Sequence, residues 1–272
     1  MDAFVKLENF LKVIPYKDLF VQGLQVTILL SLCTVVIGFA LALVLAVMRM
    51  CNFTPFLWLS RAFPSVFGFF EFEKDGSKRD AGFLYHMGRF NPLSFLATTY
   101  VEILRSTPVI VQIFIIYYGV FSVIELPKLT LLGFIKFDRF FPGIVALGMN
   151  SGAYLCEIIR SGMQSVDGGQ SEAARSLGLS SFKTLVYIIM PQAIRNILPA
   201  IANEFVVIIK ESAITYTIGM QDIMSAVNAV KGATFILVEP LLVATAIYFC
   251  LCFPTSKLIA YVERRMSRGN KR

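Results

Sequence analysis

Residues 23–48 carry no charged side chain, and only Gln25 and a few hydroxyl groups interrupt an apolar run. A helix rises about 1.5 Å per residue and the hydrocarbon layer of a bilayer is about 30 Å thick, so roughly twenty such residues cross it. In hydrocarbon a segment must satisfy its own backbone hydrogen bonds, which a helix does. Hydrophobic residues make up 56% of the 272 and charged residues only 16%, more apolar surface than one soluble core of this size can hide. The expectation is an all-α integral membrane protein. The net charge of +7 invites a nucleic-acid reading. The basic residues are scattered between apolar runs without an aromatic-basic face, so we expect no nucleic acid among the partners.

Five apolar stretches are long enough to count as spans: 23–48, one from near Pro108 to 119, 141–159, a short proline-broken one after Pro191, and 241–261, bent at Pro254. Residues 1–22 form an N-terminal interfacial segment, with Phe4, Leu7, Phe10, Leu11 and Ile14 at helical spacing among Lys6, Glu8, Lys12 and Lys17, ending near Pro15. It does not read as a signal peptide, because the apolar run comes late, is long, and lacks a small-residue cleavage site. A membrane domain covers 23–261, interrupted by a polar insertion at about 49–93, and a basic tail occupies 262–272. Within the insertion, Asp75-Gly76 suggests a hairpin turn, and the lone histidine, His86, has no Cys, Asp or Glu at ligand spacing. Residues 120–140 and 219–239 are taken as outer loops. The five cysteines, Cys33, Cys51, Cys156, Cys250 and Cys252, form no CxxC pair and read as buried thiols.

One polar stretch stands out among these spans, DGGQSEAARSLGLSSFKTLVYIIMP from Asp167 to Pro191. Asp167 can cap a short helix with Gln170 three residues on as in a capping box, Gly178 is a left-handed stop, and a second helix begins after Ser180. Ala173, Ala174 and Leu177 then share a face of little bulk, flanked by Glu172, Arg175 and Ser176. Such a knob suits another protein's cleft, or the surface of the bilayer.

This stretch resembles the EAA loop (163–191 with its flanks) of binding-protein-dependent ABC importer permeases, E-A-A-x3-G-x9-I-x-L-P. Glu172, Ala173, Ala174, Gly178, Ile188 and Pro191 match, with Met190 in place of Leu. Three further runs resemble the polar amino acid subgroup, which handles residues such as glutamine, glutamate, histidine, arginine and cystine. The first matches at Tyr100, Val101, Glu102, Arg105, Thr107, Pro108, Val111 and Gln112, with Ser106 for a usual glycine. The second matches at Ala153, Tyr154, Glu157, Ile158, Arg160, Ser165, Val166, Gly169 and Gln170. The third runs through Pro191, Gln192, Ala193, Arg195, Pro199, Asn203, Glu204, Phe205, Lys210, Glu211 and Ser212.

The resemblance implies a type I ABC importer permease fold with about five transmembrane helices and a cytoplasmic EAA coupling helix. It implies that Glu172, Ala173, Ala174, Leu177 and Gly178 dock on an ATPase. It also implies partners: two ATPase subunits per complex that hold ATP and Mg, a second permease copy or a homologous permease, and an extracytoplasmic amino-acid-binding protein. No cofactor is expected in this chain beyond its contact with membrane lipid.

Polar groups inside the apolar runs are costly unless they face protein, water or a partner charge. Gln112, Asn150, Tyr154, Asn203, Glu204, Lys210 and Glu211 are therefore candidates for the translocation path or its gate. Glu204 and Glu211 are seven apart and share a helix face, as do Asn203 and Lys210. Structural ion pairs at these positions are the equal alternative. Glu102 and Arg105, three apart, can pair on one helix. Gly148 and Gly152 allow a neighbouring helix to approach closely.

With the EAA loop inside, the inner segments are the richer in Lys and Arg, which puts the N terminus outside and the C terminus in the cytoplasm. No G-x-x-x-x-G-K-[ST] loop, Ser/His/Asp set or metal-ligand cluster occurs. We therefore expect a non-enzymatic permease subunit in the cytoplasmic membrane that takes up a polar amino acid, with ATP hydrolysis on a separate chain. The alternative is a self-sufficient secondary transporter or channel driven by an ion gradient through Glu204, Lys210 and Glu211.

Overall fold

The computed structural model describes residues 6–51 and 90–267, and apart from one small hairpin its regular elements are helical. Helix α1 (Leu7–Val13) ends in a 3-10 turn (Ile14–Tyr16) that contains Pro15, and α2 (Lys17–Met50) follows at once. The first long helix thus begins at Lys17 rather than Gly23. Nothing between them breaks a helix, and Asp18 suits the positive end of its first turn. Nearly all of the 49–93 insertion, including the Asp75-Gly76 turn and His86, lies outside the described residues, as does the end of the basic tail.

Helix α3 (Pro92–Ser106) starts at Asn91, whose side chain accepts a hydrogen bond from the Ser94 amide at 3.1 Å. After a 110° bend comes α4 (Val109–Phe114), which widens into a π-turn over Ile115–Val120. Pro108 therefore marks a break between two helices, the second of which starts at the next residue. Thr107 before it is extended, at φ −115 and ψ 144, as a residue preceding proline is driven to be. Strands β1 (Thr130–Leu131) and β2 (Ile135–Lys136) pair antiparallel, with Leu131 opposite Ile135, and lead into α5 (Phe137–Gln164).

Helices α6 (Gly168–Ser176) and α7 (Ser181–Thr184) follow, and α7 passes through a π-turn (Leu185–Ile189) into α8 (Met190–Glu211). The proline-broken reading of this span is corrected. Pro191 comes just after the π-turn and Pro199 lies inside the helix, and neither interrupts it. The helix continues as a 3-10 segment (Ser212–Ile218) to Gly219. Residues 219–239 are likewise no simple loop, because they contain α9 (Ile223–Thr234), which buries Ile223, Ala226, Val227 and Val230. Those positions follow the i, i+3, i+4, i+7 rule of an amphipathic helix. Helix α10 (Val238–Ser267) runs on through Pro254.

The axis of the molecule is the parallel pair α2 and α5. Gly38 lies against Ser151 and Gly148, and a Cβ on Gly152 would come within 2.9 Å of Leu41 Cδ2, so the expected close approach at Gly148 and Gly152 is made to α2. Around this pair one apolar cluster gathers Val26, Leu30, Ile113, Ile144 and Met220, and a second gathers Ala42, Ala46, Val101, Ala153 and Leu155. A third joins α1, α2, α9 and α10 through Val13, Phe20, Val227 and Ala244. Two helical stretches are long and apolar enough to cross a membrane on composition alone, Glu8–Met50 and Val238–Met266, and the bent α3–α4 pair makes a third. Helices α5 and α8, 28 and 22 residues long, pack against these and can carry more polar groups. Val36, Val44, Val47, Phe249, Phe253 and Leu258 remain exposed on the outer helices, as lipid contact requires. Of the cysteines, all free, only Cys156 is buried; Cys51 and Cys250 are exposed, so the expectation of buried thiols holds for one position.

Candidate functional site

The polar stretch after α5 folds into a small knob. Asp167 Oδ1 accepts from the Gly169 amide at 2.6 Å and opens α6, while the Gln170 amide donates to the Asp167 carbonyl at 3.1 Å. The cap is Asp167 acting on Gly169, with the Gln170 backbone and not its side chain closing the turn. At the other end the Gly178 amide donates to Arg175 O at 2.9 Å and the Leu179 amide to Ala174 O at 3.1 Å. These two bonds are a Schellman ending, and Gly178 sits at φ +83 as that ending requires. Ser180 then opens α7, its hydroxyl accepting from the Lys183 amide at 3.4 Å.

The shared face expected for Ala173, Ala174 and Leu177 splits in two. Ala174 is buried against the following helix, whereas Ala173, one residue and 100° round the helix, points outward with Glu172. Leu177, 83% exposed, stands one turn beyond Ala173. Sequence reasoning missed Phe182 and Tyr187, which are exposed at 73% and 69% on the helix that supports α6. Their signal was large apolar residues among Lys and Ser in a stretch too polar to cross the bilayer.

A second assembly lies at the same end of α5. Glu157 meets Arg49 of α2 at 2.9 Å, Arg105 of α3 at 3.9 Å and Arg160 of its own helix, which holds it in a bidentate contact. All the described ion pairs end on this one carboxylate. Arg160 in turn reaches Gln164 at 2.7 Å, and the Glu157 carboxylate raises its pKa above the ordinary value. Arg105 also lies over the Tyr154 ring, 5.5 Å from its centre. It does not pair with Glu102, contrary to the helix-spacing expectation, because the carboxylate on α5 draws it instead.

The break between α3 and α4 is held by side chains that the sequence placed on the path. Gln112 Nε2 donates to Leu104 O at 2.7 Å, Thr107 O at 3.0 Å and Thr107 Oγ1 at 2.8 Å, satisfying carbonyls that the end of α3 leaves open. Asn150 Nδ2 donates to Gln112 Oε1 at 2.9 Å, which ties the bend to α5. Both residues are buried and brace the fold. The α8 groups differ. Glu204 is buried, Glu211 half-buried, and Asn203 and Lys210 exposed, and none of them makes an ion pair among the described residues. Within the described residues of one chain these groups form no ion pair with one another.

Beyond the spans, Asp222 caps α9 by accepting from the Ser225 amide at 2.8 Å, while its Oδ2 is buried without a partner. Burial pushes its pKa up from 3.8 to about 7, against the opposing pull of backbone hydrogen bonds from Ser225, Asp222 and Met224. Among the described residues no group of His, Cys, Asp and Glu is placed to hold a metal.

Comparison with known proteins gives this geometry its setting. Residues 81–268 match the family described as binding-protein-dependent transport system inner membrane component. The chain is 33% identical over 262 residues to the arginine transport system permease protein ArtQ of Bacillus subtilis (strain 168), covering 96% of this chain and 99% of that one. It is 41% identical over 182 residues to the nopaline transport system permease protein NocM of Agrobacterium fabrum, covering 66% and 75%. Among solved structures it resembles an amino acid ABC transporter crystallised with histidines, with a TM-score of 0.74, 35% identity and coverage of 94% and 98%. The MetNI methionine ABC transporter shares the fold at a TM-score of 0.62 and 15% identity. A self-sufficient secondary transporter is set aside by these matches, and ATP hydrolysis belongs to a separate subunit. The chain belongs to the binding-protein-dependent transport system inner membrane components, and it is a multi-pass permease subunit of an ABC importer.

Proposed function

We propose that this permease imports a polar amino acid and that α6 is the element through which a cytosolic ATPase drives it. The observation that carries the coupling role is the build of α6, a nine-residue helix fixed at both ends whose outward face is Glu172, Ala173 and Leu177. A small alanine beside an exposed leucine fits a cleft, and the Schellman ending at Gly178 holds the pair at a set angle. Relatives named for arginine, glutamine and nopaline support the substrate class. All three are polar and carry an α-amino acid group.

In this reading the working unit is two permeases, identical or homologous, with two ATPases that bind ATP and Mg and an extracytoplasmic binding protein that delivers substrate. The N terminus is outside and the C terminus in the cytoplasm, with residues 23–261 as the permease domain between an interfacial segment and a basic tail. Closure of the ATPases on ATP draws the two α6 helices together and favours the outward-facing state, and hydrolysis releases it. ATP acts only as far as it binds one state better than the other. Glu204 and Glu211 of α8 line the path, where Glu204, lacking an internal partner, is open to substrate or water. Tyr154, Asn203 and Lys210 stand with them as path groups. Gln112 and Asn150 act by holding the α3–α4 bend.

The test is purification of the complex from its native membrane in mild detergent. A Walker-motif ATPase is expected to co-purify and to be lost from Ala173→Glu and Leu177→Glu, while Gly178→Ala, forced into a left-handed backbone at a cost of about 1 kcal/mol, retains the ATPase but loses coupled uptake. Full retention and normal ATP-driven amino acid uptake in all three variants would remove α6 from the coupling role.

A further inference from the structure

At the end of α5 away from α6, the segment joining α4 to α5 encloses a half-open cavity of about 540 Å³. Its walls include Tyr117 and Tyr118 on the π-turn, Phe121 just beyond, and three charged side chains, Glu125, Lys128 and Asp138. The two tyrosine rings meet edge to face at 4.9 Å, and Phe121 is backed by Phe141, edge-on at 5.7 Å. The charges are not packed in this way. None of the three makes an ion pair or a side-chain hydrogen bond among the described residues, although both signs line one cavity. Charges of opposite sign that border a common space without joining each other are suited to a ligand that carries both.

We propose that this cavity is a weak site for a zwitterionic amino acid, with Lys128 taking the carboxylate and Glu125 and Asp138 the ammonium group, and with the aromatic wall covering the side chain. It rests on the reading of the chain as an amino acid permease with this loop outside, and it adds a waiting position on the permease at the outer mouth. The ligand class follows from the charge pattern. An inorganic anion would leave two carboxylates facing it, and a hard divalent cation needs several converging oxygens with no ammonium among them. A basic side chain would gain further from the faces of Tyr117, Tyr118 and Phe121. π-turns recur where a helix has been shaped for a function, and this one carries two of the wall residues. Because the charged groups are solvated and each contact is weak, the dissociation constant is expected on the order of millimolar.

The experiment uses the permease–ATPase complex in lipid nanodiscs without binding protein, titrated with L-glutamine and L-arginine by saturation-transfer NMR. Lys128→Gln and the pair Glu125→Gln with Asp138→Asn are each expected to weaken both ligands by about fivefold. Agmatine, which lacks the carboxylate, should be insensitive to Lys128→Gln. Lys136→Gln on β2, outside the cavity lining, is expected to bind as the parent does. Binding that is equal in all variants, or absent from the parent at tens of millimolar, overturns the site. So does a Lys128→Gln effect confined to docking of the binding protein. ATP-driven uptake from the loaded binding protein, measured on the same parent complex, separates the two levels. Uptake without a cavity effect removes only the site, whereas no amino acid uptake removes the reading beneath it.

Discussion

Glu157 on α5 and Glu204 on α8 are carboxylates on neighbouring helices, and the fold treats them in opposite ways. Glu157 is met by three guanidiniums drawn from α2, α3 and its own helix. Glu204 is buried at 8% exposure and has no ion pair among the described residues. An ionised carboxylate in a low-dielectric setting is tolerable only when it is paired and hydrogen-bonded. The first is thus a joint that fastens the ends of three helices. The second is left without a counter-charge among the described residues, one that substrate or water would supply in the proposed path role. Within one membrane domain, the satisfied charge fastens helices together, and the unpaired one is the group that the proposed path role assigns to substrate or water.

The largest effect should come from breaking the joint. Glu157→Gln leaves Arg49, only 17% exposed in its side chain, without its counter-charge. Removing one partner of a buried pair costs about 3 kcal/mol or more, which lowers the melting temperature of the detergent-solubilised complex by roughly 10 °C. Replacing Arg49 and Glu157 together by Met should recover part of this loss, because no uncompensated pair is then left at that position. A Glu157→Gln protein as stable as the parent would show that the arginines are solvated independently and that the joint has no mechanical role.

Glu204→Gln sharpens the contrast from the other side. The substitution removes a buried carboxylate that has no ion pair among the described residues, so the melting temperature should hold or rise slightly. ATP-driven amino acid uptake should fall at least tenfold, about 1.4 kcal/mol of lost path interaction. A stability loss like that of Glu157→Gln would mean that Glu204 is structural after all, and unchanged uptake would take it off the path.

How far this division could be read from sequence differs by residue. The spacing Glu157-x-x-Arg160 announces one of the three pairs, but Arg49 and Arg105 are remote in sequence: Arg49 reaches Glu157 because α2 and α5 pack in parallel through Gly38, Gly148 and Gly152, and Arg105 because α3 packs on α5. The glycines were legible and the register between the helices was not. Gln112 and Asn150 were legible as special because polarity in an apolar run is informative, but the hydrogen bonds by which they brace the bend were not. The bend was signalled by Thr107-Pro108, while its size depends on which side chain closes the open carbonyls. Helix α9 was missed although its apolar residues keep helical spacing, because one basic residue and flanking glycines made the stretch resemble a loop. Ala174 was placed on the wrong side of α6 because a nine-residue helix of small residues has too little hydrophobic contrast to reveal which face its support occupies.

Asp222 lies between the two extremes, with one carboxylate oxygen capping α9 and the other buried without a partner, and it should give the smallest effect. Its folded-state pKa, about 7, is above the ordinary 3.8, so the folded protein keeps this proton to higher pH than the unfolded chain does. The carboxyl is neutral in both states below the lower value. Stability therefore declines as pH rises between the two values and stays at the lower level above them. Asp222→Asn keeps the oxygen that caps Ser225 and replaces the partnerless one with a neutral amide that does not ionise as pH rises. The variant should match the parent near pH 5 and melt a few degrees higher near pH 8, in melting curves recorded in one detergent at both values. Parallel curves across that range would mean that water reaches Asp222 and removes the burial, and Asp222 would then belong with the satisfied carboxylates rather than halfway to Glu204.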